Sequence, residues 1–297
     1  MFPNKHSGLP HGKIAEFFDA FFGIKLSAGG SCQSMLRAAD RCMPLYQTIV
    51  LAIRRFPWIV PDETGGRIGG RGAWMHDFVA PRLTCHVIAT SRGYDVAETI
   101  IGAEYAGVLI HDGHRPYDKF FLARHPQCPH HLLTRCKHLL LTATAGAVRF
   151  PRQVPSLLRN ALAVRDRRDT GPLSAHGLAC CIGRLKARMN RLLCWTRANG
   201  DNERFADHRN RHRNQLFTFL TVPGIDATNP LAEPAIRPAV IARKISGGSR
   251  TERGALAHAC LTSAGRSARQ QGRDSCRFIA DLLCGRRPRL AYLPAGP

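Results

Sequence analysis

The hydrophobic period changes near residue 58, and this change constrains the fold more than any other feature of the chain. Before it, apolar residues recur at helical spacing. Residues 11–22 (HGKIAEFFDAFF) place Ile14, Phe17, Phe18 and Phe21 on one helical face, with Gly23 as C-cap. A longer stretch then aligns Met35, Leu36, Ala39, Met43, Tyr46, Ile49, Val50 and Ile53, and it must end before Pro57. Helix, short turn, helix is the pattern of a DNA-reading helix-turn-helix and equally of two packed core helices.

After residue 58 the period becomes that of strands. Trp58-Ile59-Val60 is a short run expected to stop at Pro61-Asp62, and GGRIGGRG reads as turn chemistry. Residues 73–80 (AWMHDFVA) and 84–90 (TCHVIAT) give two more strands, all three antiparallel. Asp95 and Glu98 have the spacing of a capping box for a helix over YDVAETIIGAEY. A fourth strand, Val108-Leu109-Ile110, is apolar throughout, as a central strand covered on both faces would be. Strand, strand, strand, helix, strand predicts an α/β fold.

Residues 130–220 read as helical and basic. Between Arg149 and Arg213 there are 15 Lys+Arg and 5 Asp+Glu. DRRDTGPLSAHG and RANGDN break this region into pieces, and the charges of DNERFAD (residues 201–207) read as surface. A last helical section runs from about Leu231 to Leu283, broken by SGGSR and at Gly272. The whole chain of 297 residues carries a formal net charge of +22. Such an excess favours a polyanionic partner, and nucleic acid is the commonest one. No stretch approaches twenty apolar residues, so no membrane-spanning helix is expected. The first twelve residues have no apolar run after Lys5, so no secretory signal is read there. Without export, the eleven cysteines are expected as reduced thiols in the cytoplasm.

Asp112 follows the fourth strand and Asp62 follows the first. Two carboxylates at neighbouring strand ends repel unless a cation lies between them. Mg²⁺ suits such a site, because it takes oxygen ligands and needs one or two carboxylates. A third carboxylate allows a second ion about 3.5–4 Å away, the geometry of in-line phosphodiester chemistry. The alternative is that Asp112-Gly113 is only a turn after a strand.

Several segments carry a resemblance, in order. They are VPDETGGRIGGRGAWMHDFV, TSRGYD, AGVLIHDGHRPY, CPHHLLTR, RFPRQV, SAHGLA and NPLAEPAIRPAVIARKISGGSRTERGA. Together they resemble the DDE transposases of bacterial insertion sequences, of the insertion-sequence-sixty-six type, from about residue 8 to residue 284. The resemblance implies a ribonuclease-H-like mixed sheet with a helical insertion and an N-terminal helical segment. It implies Asp62, Asp112 and Glu233 as catalytic and metal-holding carboxylates, with Mg²⁺ or Mn²⁺ as two ions. The spacing of 121 residues from Asp112 to Glu233 exceeds what a minimal core needs. Residues 128–224 are therefore expected as a basic insertion, between core segments 57–127 and 225–284. Residues 1–56 form the N-terminal helical segment and 285–297 a loose tail. The helix carrying Glu233 is expected to begin near Leu231 and run past Ile241. Family members usually carry a further N-terminal region, so this chain reads as a shortened copy.

The implied partners are element ends and target DNA, in a homo-oligomeric complex on the nucleoid. Arg237, Lys244, Arg250 and Arg253, around the glycine-containing loop KISGGSRTER, are candidate phosphate contacts, as are Arg184, Lys186 and Arg188. Arg237 can instead pair with Glu233 one turn away. A solvated basic face is the plainer reading of Lys244, Arg250 and Arg253. Glu63 points to the opposite side of its strand from Asp62. His131 is expected near the site, one helical turn from Cys128. The rival to an active enzyme is a non-catalytic DNA-binding remnant.

Overall fold

A computed structural model of the chain describes residues 8–142, 147–171, 173–194, 200–213, 215–222, 236–237, 240–241, 244–245, 247–286 and 288–291. It divides into two compact units, Met1–Gly107 with Leu231–Pro297, and Val108–Pro230. The first unit opens with α1 (His11–Phe22) and α2 (Ala28–Ile53), then β1 (Trp58–Ile68), β2 (Arg71–Val79), β3 (Thr84–Ala89) and α3 (Tyr94–Ile101). The second carries β4 (Val108–Leu109), α4 (Pro129–Thr142), α5 (Arg149–Asp169), α6 (Ala175–Leu193) and α7 (Gly200–Arg211). The chain returns to the first unit with α8 (Glu252–Gln270) and α9 (Ser275–Leu283). The α/β class expected from the sequence is the class observed, and the basic region is helical, broken where the glycine-containing segments fall.

In the first unit, β1, β2 and β3 form an antiparallel meander. β1 does not stop at Pro61-Asp62. It runs to Ile68, so Asp62 lies inside the strand and not at its end. The hairpin closes at Gly69-Gly70, whose φ angles of 57° and 81° suit the two central positions of a primed turn. Gly65 and Gly66 pair across to Trp74 and Ala73 instead of turning. Glycine content alone did not distinguish the two pairs.

Three local expectations also change. On α1 only Ile14 is buried, while Phe17 is 41% and Phe21 73% exposed. The α1 rings pack on one another, with Phe17 and Phe21 centroids 4.9 Å apart. No capping box starts α3. Gly93 is the N-cap, and the Asp95 carboxylate accepts a hydrogen bond from the Ser91 hydroxyl at 2.9 Å. That helix ends at Ile101, with Gly102 at a φ of 84°.

The core of the first unit forms where α8 packs on α2 and on β3. α8 presents Ala255, Ala259, Cys260, Ser263, Ala264, Ser267 and Ala268, all buried. Small side chains let the helix backbone approach closely. The two serines then satisfy the outer edge of β3. Ser263 Oγ accepts from the His86 N–H at 2.8 Å, and Ser267 Oγ accepts from the Thr84 N–H at 3.1 Å. Tyr46 of α2 donates its hydroxyl to the His86 carbonyl at 2.9 Å. Each such bond contributes about 1 kcal/mol, but leaving a buried backbone group unpaired costs about 1–3 kcal/mol. Burial of Ile49 and Ile53 on α2, both 0% exposed, supplies the apolar side of the same contact.

The loop before α8 is pinned to the hairpin. Ser249 N–H donates to the Arg67 carbonyl, and Gly69 N–H donates to the Ser249 carbonyl, each at 2.9 Å. Gly248 adopts φ 123°, and a Cβ there would collide with the Arg67 carbonyl. Gly248→Ala should therefore destabilise the protein by about 1–3 kcal/mol, the cost of a forbidden backbone conformation. Equilibrium urea unfolding measures this, and an unchanged midpoint would contradict the loop geometry.

Candidate active site

In the second unit, residues 108–111 run alongside residues 124–128. Leu109 N–H donates to the Arg124 carbonyl at 2.9 Å, and Cys128 N–H donates to the His111 carbonyl at 3.0 Å. This pairing ends the apolar run and delivers Asp112 to an exposed position. Asp112 Oδ1 accepts the His114 N–H at 2.9 Å, a tight turn that orients the carboxylate. Gly113 is buried with φ 94°, and a Cβ there would lie 2.8 Å from His208 Nε2 and 3.1 Å from His212 Nε2. Only glycine lets α7 approach this turn. His208 Nε2–H then donates to the Asp112 carbonyl at 3.0 Å.

Behind the turn lies a chain of hydrogen-bonded histidines. Gly113 N–H donates to His111 Nδ1 at 3.0 Å, so His111 carries its proton on Nε2. That proton goes to His125 Nδ1 at 3.0 Å, and His125 Nε2–H donates to the Phe120 carbonyl at 2.9 Å. Burial, with His125 and other histidines beside it, holds His111 well below the usual imidazole range. Burial pushes His208 down to about 4, with the Arg209 charge adding to the effect. Burial also lowers His212.

A second network fastens α7 from below. Arg209, 3% exposed, donates from Nη1 to Gln127 Oε1 at 2.8 Å. Gln127 Nε2 donates to Gln215 Oε1 at 2.9 Å, and His212 Nδ1–H reaches the same oxygen at 3.0 Å. Burial brings Arg209 down to about 9, and the Asp112 charge opposes that shift. The guanidinium therefore stays cationic at neutral pH.

These elements enclose a cavity of about 830 Å³ within the second unit. Asp112, Gly113 and His114 form one wall, α4 contributes His131, Arg135 and His138, and α7 contributes residues from Asp201 to Arg211. The Transposase IS66 family model matches residues 2–257, most of the chain. The chain belongs to this family. Family membership assigns a transposase role. No curated protein matches the sequence.

The transposase residues expected from the sequence fall as follows. Asp62 lies in β1 of the first unit, its Oδ1 accepting the Glu63 N–H at 2.9 Å. Glu63 is paired with Arg92 at 2.7 Å, and Arg92 lies 4.4 Å from the Trp74 ring. Glu233 and the start of its expected helix lie outside the described residues. Among the described residues, no group of three or more His, Cys, Asp and Glu side chains is arranged to hold a metal ion. His131 lines the cavity that Asp112 lines. Cys128 is a buried thiol. Arg184, Lys186, Arg237, Lys244 and Arg250 are exposed. Arg188 is half-buried and donates to Ser156 at 3.3 Å, and Arg253 pairs with Asp40 at 2.9 Å. Among the described residues, no helix is long and apolar enough to cross a membrane.

Sequence reading missed three features. DNERFAD forms a cavity wall as well as surface, because Asp201, Arg204, Phe205 and Asp207 border the cavity. His208 and His212 at i,i+4 were a readable signal for a common helix face. Asp77 stands directly across from Asp62 in β2, and His86 directly across from Asp77 in β3. Directly opposed residues share a sheet face. His86 Nδ1 donates to Asp77 Oδ1 at 2.5 Å, and Asp77 Oδ2 is buried without a partner among the described residues.

The histidines set an acid limit on this fold. His111, His208 and His212 all have folded-state pKa values below their ordinary value of 6.5. The unfolded chain therefore binds more protons below about pH 6.5, so their stabilisation is complete above that pH and is lost towards about pH 4. The urea midpoint should fall between about pH 7 and pH 5, and His208→Gln should make the fall smaller. An equal fall in wild type and variant, followed by circular dichroism, would contradict this assignment.

Proposed function

We propose that the protein is a DDE transposase that binds insertion-sequence ends, cleaves a phosphodiester with a metal-activated water, and joins the new 3′-hydroxyl to target DNA. The observation that carries this reading is Asp112. An exposed carboxylate is held by a local turn at the exit of a strand, on a cavity rimmed with arginine and histidine, in a chain of the IS66 family. Asp62, Asp112 and Glu233 are the proposed catalytic carboxylates. Their hard oxygen donors suit Mg²⁺ or Mn²⁺ in a two-ion arrangement. A bound divalent ion supplies Lewis-acid stabilisation of phosphate oxygens and acidifies an attacking water.

The protein's own contribution is positional and electrostatic. The turn at Asp112–His114 fixes the carboxylate before substrate arrives. His208 and His111 stay uncharged near neutral pH, so they hold the turn by hydrogen bonds without repelling a cation. The exposed basic residues Arg184, Lys186, Arg237, Lys244 and Arg250 are the proposed phosphate contacts, with Arg188 and Arg253 at the margins of the same role. A net charge of +22 makes this binding sequence-independent in large part. The reading places the protein in the bacterial cytoplasm on the nucleoid, acting as a homo-oligomer in the transposition complex.

Asp112→Asn should abolish Mg²⁺-dependent cleavage of an element-end duplex and leave duplex affinity nearly intact. Undiminished cleavage would refute the role of Asp112. Wild type that binds DNA and never cleaves it would establish the non-catalytic remnant instead. Reversing charge at Arg184, Lys186 and Arg188 should flatten the dependence of affinity on salt, since each neutralised phosphate contributes about 0.9 to the log–log slope. Full affinity and an unchanged slope in that variant would remove α6 from the DNA-binding surface.

A further inference from the structure

One buried donor of the cavity wall is unmatched among the described residues. A guanidinium carries five N–H donors in a planar fork. Arg209 is 3% exposed, it reaches Gln127 through Nη1, and its Nε is buried without a partner among the described residues. Its guanidinium carbon stands 5.6 Å from the centre of the Phe205 ring. Arg135, arriving from α4, stands 5.7 Å from the same ring. Two like charges are thus braced on one aromatic side chain at the border of the cavity. The Arg135 charge works against that of Arg209, Asp112 offsets it in part, and a phosphate bound beside them would offset it further. The neighbouring Arg204 is engaged by Asp201 at 2.6 Å, so it does not compete for that anion.

We propose that Arg209 and Arg135, both held against Phe205, clamp one DNA backbone phosphate in the cavity that Asp112 lines. This deepens the transposase reading and rests on it. Arg209 is the fixed half of the clamp, oriented by Gln127. Arg135 is exposed and lines the same cavity. Planar forks match phosphate oxygens in pairs, which an ammonium does not.

The experiment measures binding of a fluorescein-labelled DNA duplex across a salt series without divalent metal, for wild type, Arg135→Ala and Arg209→Lys, with folding checked by thermal melting. Arg135→Ala should lower affinity about tenfold and reduce the log–log salt slope by about 0.9. Arg209→Lys keeps the charge and loses the fork, so affinity should fall while the slope changes little. Arg135 is exposed, so its variant decides the matter even if Arg209→Lys fails to fold. Wild-type affinity and slope in Arg135→Ala would overturn the clamp. If wild type still cleaves DNA in that case, the transposase reading survives and only the clamp falls. Wild type that neither binds nor cleaves the duplex would remove both. Inorganic phosphate is the comparison ligand. Stabilisation of wild type by phosphate, with normal DNA binding by Arg135→Ala, would mark a free-phosphate site and overturn the assignment to DNA.

Discussion

The hydrogen bond from Arg209 to Gln127 is the contact on which the second unit's site depends. It places a cation in the interior, where desolvation opposes the charge and lowers the pKa to about 9. A buried cation with one polar acceptor among the described residues is tolerated only where its surroundings are fixed. Gln127 is fixed in turn by Gln215 and by its place beside His111. This chain of amides and carbonyls ties α7 to the segment behind Asp112. The neighbouring histidine, His208, then holds the Asp112 carbonyl. The loop geometry is therefore set before any ligand enters, which is what a site for charged substrates requires.

The first unit solves a different problem. β3 is a strand whose outer edge would expose unpaired N–H and C=O groups. α8 covers that edge, and its serines supply the missing partners without bulk. The same covering buries Asp77 and His86, the row that begins at Asp62. A buried carboxylate with one oxygen unmatched is expensive. Arg266 of α8, whose charge attracts Asp77, has a buried Nε that is also unmatched among the described residues.

Much of the architecture was legible because period and punctuation agree. The long apolar face from Met35 to Ile53 forms a helix, and the alternation over 73–80 and 84–90 forms strands. Gly23 ends its helix in the left-handed conformation as expected. The sequence misled where one residue type serves two purposes. Gly65 and Gly66 look like a turn but lie in β1, because the turn forms four residues later at Gly69-Gly70, where φ is positive. Phe17 and Phe21 have core spacing yet remain exposed, because periodicity reports a shared face and not what covers it. Of the site, Asp112 was readable as the residue ending a buried strand. Arg209 and Gln127 were not, because their partnership joins residues 82 positions apart and leaves no local pattern.

The central claim is that Asp112 helps to hold the divalent ion used in DNA cleavage. Titration of Mn²⁺ into the protein, followed by electron paramagnetic resonance, measures this without depending on activity. Wild type should take up Mn²⁺, and Asp112→Asn, still folded by circular dichroism, should show a clear loss of affinity. Identical Mn²⁺ binding by the two proteins would contradict the account.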